Sequence, residues 1–170
     1  KEHLPEDLVF HVNYLAGSMP TFTLNFSRPG NQIVGQYYNF LRLGRSGYTR
    51  IMSTLRDVAG ELAAKVARLG PFELLSDGTS IPVFAFRLKD ASRYSVYDVS
   101  ERLRARGWQL PAYTMPPAAE TVAVLRVVVR EGFSRDMADL LMKDLRTVVA
   151  DLESAPPARP KQADRNFHHG

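Results

Sequence analysis

The residues able to do chemistry sit in three places. The first is Ser27-Arg28-Pro29-Gly30, which ends an extended run and opens a helical one. A helix N-terminus offers unpaired backbone N–H groups and a partial positive charge. Ser27 adds a hydroxyl there and Arg28 a fork of donors. Together they have the build of an anion site. Plain helix capping, with Ser ahead of a Pro in the first turn, explains the same residues. The second place is Arg126, alone among Val122, Val124, Leu125, Val127, Val128 and Val129. On an interior strand its guanidinium leaves water and needs an anionic partner. A planar bidentate fork suits a carboxylate. An edge position reaching solvent, or a structural ion pair with Asp or Glu, would also satisfy it. Arg130, four residues later, borders solvent and receives no role. The third place is the end Asn166-Phe167-His168-His169-Gly170. A histidine titrating near its ordinary pKa of ~6.5 can switch between mildly acidic and neutral conditions. A loose terminus or an affinity-tag remnant reads the same way.

The surrounding elements follow from periodicity. Residues 7–12 and 21–24 read as short extended segments, with Gly17-Ser18-Met19-Pro20 as a turn between them. From Pro29 to about Leu69 apolar residues recur every three or four positions, predicting one long helix. Gly44 to Gly47 is its expected break, and Gly70-Pro71 its stop. Residues 72–75 and 82–88 predict strands, the second apolar on both faces and hence interior. Ser95 starts a short helix that ends by Gly107, with Glu101, Arg102, Arg104 and Arg106 on a solvated face. Trp108-Gln109-Leu110 predicts a brief strand, and 122–129 the strongest one. Ser134 opens a last helix with Leu140, Leu141, Leu145, Val148, Val149 and Leu152 on its apolar stripe. Residues 155–161 are Pro- and Ala-rich and read as a linker to the tail. The order from about Thr54 to Glu153 predicts an α/β unit with helices packed on a sheet.

Composition narrows the class. The 170 residues can bury one respectable core, and 45% hydrophobic with 24% charged residues is ordinary for a globular chain. No apolar run reaches the ~18 residues of a membrane span. The start lacks both an initiator Met and the apolar core of a signal peptide, so the chain is expected to begin inside a longer protein or after processing. With no cysteine there is no disulfide framework and no thiolate metal site. A cytoplasmic protein is the expectation. The net charge is +4, half of it in the last fifteen residues. Acidic residues are interleaved elsewhere, so no basic stripe for nucleic acid is expected.

Several longer words match a known family. Asn25-Phe26-Ser27-Arg28-Pro29, then Gln36-Tyr37-Tyr38-x-Phe40-Leu41-Arg42-Leu43-Gly44-Arg45-x-Gly47-Tyr48, resemble glutamate decarboxylase, the pyridoxal-phosphate enzyme of bacteria and plants. The resemblance continues through Leu69-Gly70-Pro71-Phe72-Glu73, Ile81-Pro82, the run from Tyr97 to Gln109, and Leu125-Arg126. It runs along nearly the whole chain but covers only the C-terminal portion of the family's sequence.

This resemblance implies an α/β fold, the C-terminal part of a fold-type-I pyridoxal-phosphate enzyme. Residues 1–54 would end the large domain and form the connecting helix, 55–154 would form the small C-terminal domain, and 155–170 a tail. It implies a lyase acting on L-glutamate to give 4-aminobutyrate and CO2, with pyridoxal 5'-phosphate as cofactor and a role in acid resistance. Arg126 matches the arginine that binds the substrate α-carboxylate. Ser27 matches the serine that contacts the cofactor phosphate in a neighbouring subunit, which implies a homo-oligomer. His169 matches a penultimate histidine that closes the active site at neutral pH. His168 beside it and Gly170 after it depart from the family's ending. Nothing in the sequence resembles the Lys- and Trp-rich calmodulin-binding extension of the plant enzymes, so none is expected. The family's Schiff-base lysine follows a histidine; none of Lys65, Lys89, Lys143 and Lys161 does, and the Glu2-His3-Leu4 that follows Lys1 does not match the motif. This stretch alone is therefore expected to be inactive. A non-catalytic binding or assembly module, or a related decarboxylase with another amino-acid substrate, are the alternatives.

Overall fold

The computed structural model describes residues 10–12, 19–21 and 29–155. Strands β1 (Phe10–Val12) and β2 (Met19–Thr21) pair antiparallel. Met19 and Pro20 thus lie in a strand, not in the turn the sequence suggests. Pro20 is tolerated because a two-stranded ribbon has only edge strands.

Helix α1 runs Asn31–Ala67 and starts two residues later than expected. Gly30 is its N-cap, so Pro29 stands just outside rather than in the first turn. Gly44 interrupts the helix with φ 55° and ψ −173°, a backbone state open essentially to glycine alone. A Cβ on Gly47 would come within 2.9 Å of the Leu43 side chain, so a second glycine lets the elbow close. Across the elbow, the Phe40 and Tyr48 rings sit 5.9 Å apart.

Beyond α1 come β3 (Phe72–Leu74), β4 (Val83–Leu88), α2 (Val96–Arg104), β5 (Ala112–Thr114), β6 (Ala123–Val128) and α3 (Arg135–Ser154). The four strands form one antiparallel sheet in the order β3-β4-β6-β5. Both β4 and β6 are interior, as their apolar runs require. The strand expected at Trp108–Leu110 is instead β5, a few residues later. The Trp108 indole donates to Asp144 of α3 at 2.8 Å, which ties this residue to the helix layer.

One face of the sheet carries Phe72, Phe84, Phe86, Leu125, Val127 and Val129, all buried. The helices cover it. Helix α1 contributes Val58, Ala59, Leu62, Ala63 and Val66, α2 contributes Val96, Val99 and Leu103, and α3 contributes Leu141, Met142, Leu145, Val148 and Val149. Phe72 and Phe86 meet edge to face at 5.0 Å. Each such side chain contributes about 1.5–3 kcal/mol by leaving water. Leu140 is not on the buried stripe; it is half exposed, and Ala138 and Met142 take the inward positions.

Helix starts are well marked. Ser95 and Asp98 form a reciprocal capping box, and the Ser134 hydroxyl accepts from the Met137 N–H. The first half of α1 is different. Ile33, Val34, Tyr37, Tyr38, Phe40 and Leu41 share one side of the helix and are each more than half exposed. No described element covers them.

Candidate active-site face

The uncovered face of the sheet carries the candidate site. Alternation puts Ala85, Arg126 and Tyr113 on the side opposite the helices, with Glu73 and Arg87 toward the β3 edge. Arg126 stands across from Ala85, a small neighbour that leaves it room. The backbone N–H of Arg126 donates to Pro111 O at 3.2 Å, which fixes β6 against the approach to β5.

The two arginines of this face differ in partnership. Arg87 donates to Glu73 at 2.8 Å and pairs with the same carboxylate. Arg126 has no ion pair among the described residues. Its Nε is buried and accepted by nothing. Its guanidinium carbon instead lies 5.4 Å from the centre of the Tyr113 ring. The strand is interior, and among the described residues no carboxylate neutralises Arg126. A half-buried cation with an orphaned donor is prepared to receive an oxyanion.

Tyr113 was not found by sequence reasoning. The sequence places the strand that carries it four residues earlier, at 108–110. Its signal was the β-type pair Tyr113-Thr114 after Pro111, a residue that itself favours a strand edge. Val124, opposite Tyr113, is fully buried although it lies outside the helix-side core. The side chains standing on this face thus already shield the floor of the site.

Ser27 and His169 lie outside the described residues. The helix beyond Ser27 belongs to them. The N-terminus of α1 has no side-chain cap and no acidic residue in its first turn. Among the described residues no side chain caps this end, which fits an anion such as a phosphate. Lys65, Lys89 and Lys143 are all accessible to solvent; Lys65 pairs with Asp139, and Lys89 donates to Gly70 O at 2.9 Å. Elsewhere, a groove of about 390 Å³ runs between α1 and residues 80–82, with Tyr48, Ser53, Arg56 and Ile81 on its walls. Among the described residues no cluster of three His, Cys, Asp or Glu could hold a metal, and no helix is long and apolar enough to cross a membrane.

Comparison with known proteins identifies the family. The profile of the pyridoxal-dependent decarboxylase conserved domain matches residues 1–89, more than half of the chain. The chain belongs to the pyridoxal-dependent decarboxylases. Within that family it is 48% identical over 165 residues to the glutamate decarboxylase of Solanum lycopersicum, covering 97% of this chain and 33% of the relative. It is equally 48% identical over 172 residues to that of Aliivibrio fischeri, covering 98% and 37%. The solved structure of glutamate decarboxylase from Lactobacillus brevis superposes with a TM-score of 0.74 at 41% identity, over 91% of this chain and 36% of that one. The chain thus spans about a third of the length of the curated relatives it matches. Its α/β fold, a small antiparallel sheet with helices on one face, is shared with fold-type-I pyridoxal-phosphate enzymes, as the resemblance implied.

Proposed function

We propose that the chain is part of a decarboxylase that removes the α-carboxylate of L-glutamate, releasing CO2 and leaving 4-aminobutyrate once the α-carbon takes up a proton. The observation that carries this reading is Arg126, a cation on an interior strand with a buried and unpartnered Nε. It is supported by 48% identity to proteins named glutamate decarboxylase. Arg126 would grip the α-carboxylate and fix the direction of the bond that breaks. The carboxylate loses its charge as it departs, so this grip is strongest in the ground state and acts by orientation.

Pyridoxal 5'-phosphate, when bound, supplies the electron sink of the reaction. The uncapped start of α1 fits its phosphate, and Ser27, three residues before Gly30, is proposed to contact it from a neighbouring subunit. The apolar side of α1 between Ile33 and Leu41 supports burial within a larger assembly, with residues 1–54 belonging to the large domain and 55–154 forming the small one. None of the described lysines is buried. We therefore propose that this stretch alone is inactive. His169 is proposed to close the site at neutral pH, in a cytoplasmic enzyme serving acid resistance.

The test is Arg126→Ala in the complete holoenzyme. Turnover of L-glutamate should fall at least a hundredfold while the cofactor absorbance is retained. Undiminished turnover would remove the clamp. Faster turnover of another L-amino acid by the unmodified enzyme would remove the proposed substrate.

A further inference from the structure

We infer that Tyr113 is the positioning residue of this site: its ring sets the orientation of the Arg126 guanidinium, and with it the affinity for the substrate carboxylate. The inference rests on the reading of Arg126 as the carboxylate clamp.

Three observations carry it. Arg126 is a long side chain with several rotatable bonds and no ion pair among the described residues, so no described carboxylate holds its head in place. Its Nε is buried without a hydrogen-bond partner, so no donor–acceptor pair holds its neck. Against the guanidinium stands the Tyr113 ring, 5.4 Å from Cζ to the ring centre. An aromatic face attracts a cation without consuming any of its N–H donors. A carboxylate in that place would neutralise the arginine and compete with substrate, as Glu73 does for Arg87 on the same face. Tyr113 restrains the fork and leaves its donors free.

The backbone supports the same division of labour. Tyr113 is paired with Val124, and Arg126 is two residues further along β6, a diagonal cross-strand relationship within reach of long side chains. Pro111 O accepts from the Arg126 N–H, so the strand bearing Tyr113 cannot slide relative to the strand bearing Arg126. The contact is between the Arg126 guanidinium and the Tyr113 ring, which phenylalanine also has. Phenylalanine should therefore serve as well as tyrosine, whereas leucine should not.

The experiment is a double-mutant cycle in the complete holoenzyme, read by steady-state kinetics and by calorimetric binding of glutarate, a non-reacting dicarboxylate. Tyr113→Leu should raise the KM for L-glutamate about threefold to thirtyfold and weaken glutarate to the same extent, with kcat changed less than KM. Tyr113→Phe should restore both to within about twofold. In the Arg126→Ala background Tyr113→Leu should have no further effect on glutarate affinity. A structural role for Tyr113 would instead lower affinity equally in both backgrounds, and that result overturns the inference. So does unchanged glutarate binding in Tyr113→Leu when Arg126→Ala weakens it. If Arg126→Ala itself leaves glutarate binding intact, the clamp reading fails first. Should Tyr113→Leu not fold, Tyr113→Met and the phenylalanine variant complete the comparison.

Discussion

Replacing Arg126 by methionine should make the chain more stable while disabling the site. Methionine keeps an unbranched apolar stem over the floor of the face and removes the guanidinium. The structure leaves the Arg126 Nε buried and unbonded. Burying a donor without a partner costs about 1–3 kcal/mol. Against that stands the contact with Tyr113, worth about 0.5–1 kcal/mol at a partly exposed site. The net gain is about 1 kcal/mol, or a rise of about 2–4 °C in melting temperature for a chain of this size. Urea denaturation of the chain, with the slope of the transition unchanged, would read the difference directly. A loss of more than about 1 kcal/mol would refute the reasoning, because it would mean that the guanidinium is held by partners that stabilise the fold. A gain in stability with lost carboxylate binding would place Arg126 among residues retained for function at a cost to folding.

Gly44→Ala should lower stability by about 1–3 kcal/mol, seen as a lower urea midpoint, because φ 55° with ψ −173° is hostile to any Cβ. Asp144→Asn should destabilise at neutral pH but converge with the unmodified chain in acid. The hydrogen bond from the Trp108 indole, then Arg106, holds the Asp144 carboxyl below the usual carboxylate range. A depressed folded-state pKa stabilises fully above the unfolded value of ~3.9, and that stability is lost as pH falls through the folded value. Melting curves of both forms from neutral pH down into strong acid would show the convergence, and a constant difference would dismiss the charge. Deleting Phe167 to Gly170 from the complete enzyme should extend activity toward neutral pH, measured as CO2 release from mildly acidic to mildly alkaline conditions; an identical profile would make the tail an ordinary end.

The parts of the fold legible in the sequence were those with local causes. Ser95 and Ser134 marked helix starts because their hydroxyls cap backbone N–H groups three residues on. Gly44 marked the elbow because the needed backbone state is all but restricted to glycine. The errors came where distant residues decide. Trp108 resembles a strand residue until Asp144, 36 positions away, claims its indole. Leu140 fits an apolar stripe by spacing, but the actual stripe turns toward Ala138 and Met142. At the site, Arg126 was conspicuous as one charge in an apolar strand. Tyr113 was not, because its importance arises only when two strands are set side by side.

The elbow at Gly44 also divides α1 into two regimes of cooperativity. After it, Val58, Ala59, Leu62, Ala63 and Val66 are locked into the core, so their amides should open to solvent only when the whole unit unfolds. Before it, Ile33 to Leu41 stand clear of every described element, and their helical hydrogen bonds can break a turn at a time. Amide hydrogen exchange along α1 should therefore fall by orders of magnitude between Leu41, before the elbow, and Val58, where the helix enters the core. Docking of the apolar side would be reported by slow exchange spreading back toward Asn31.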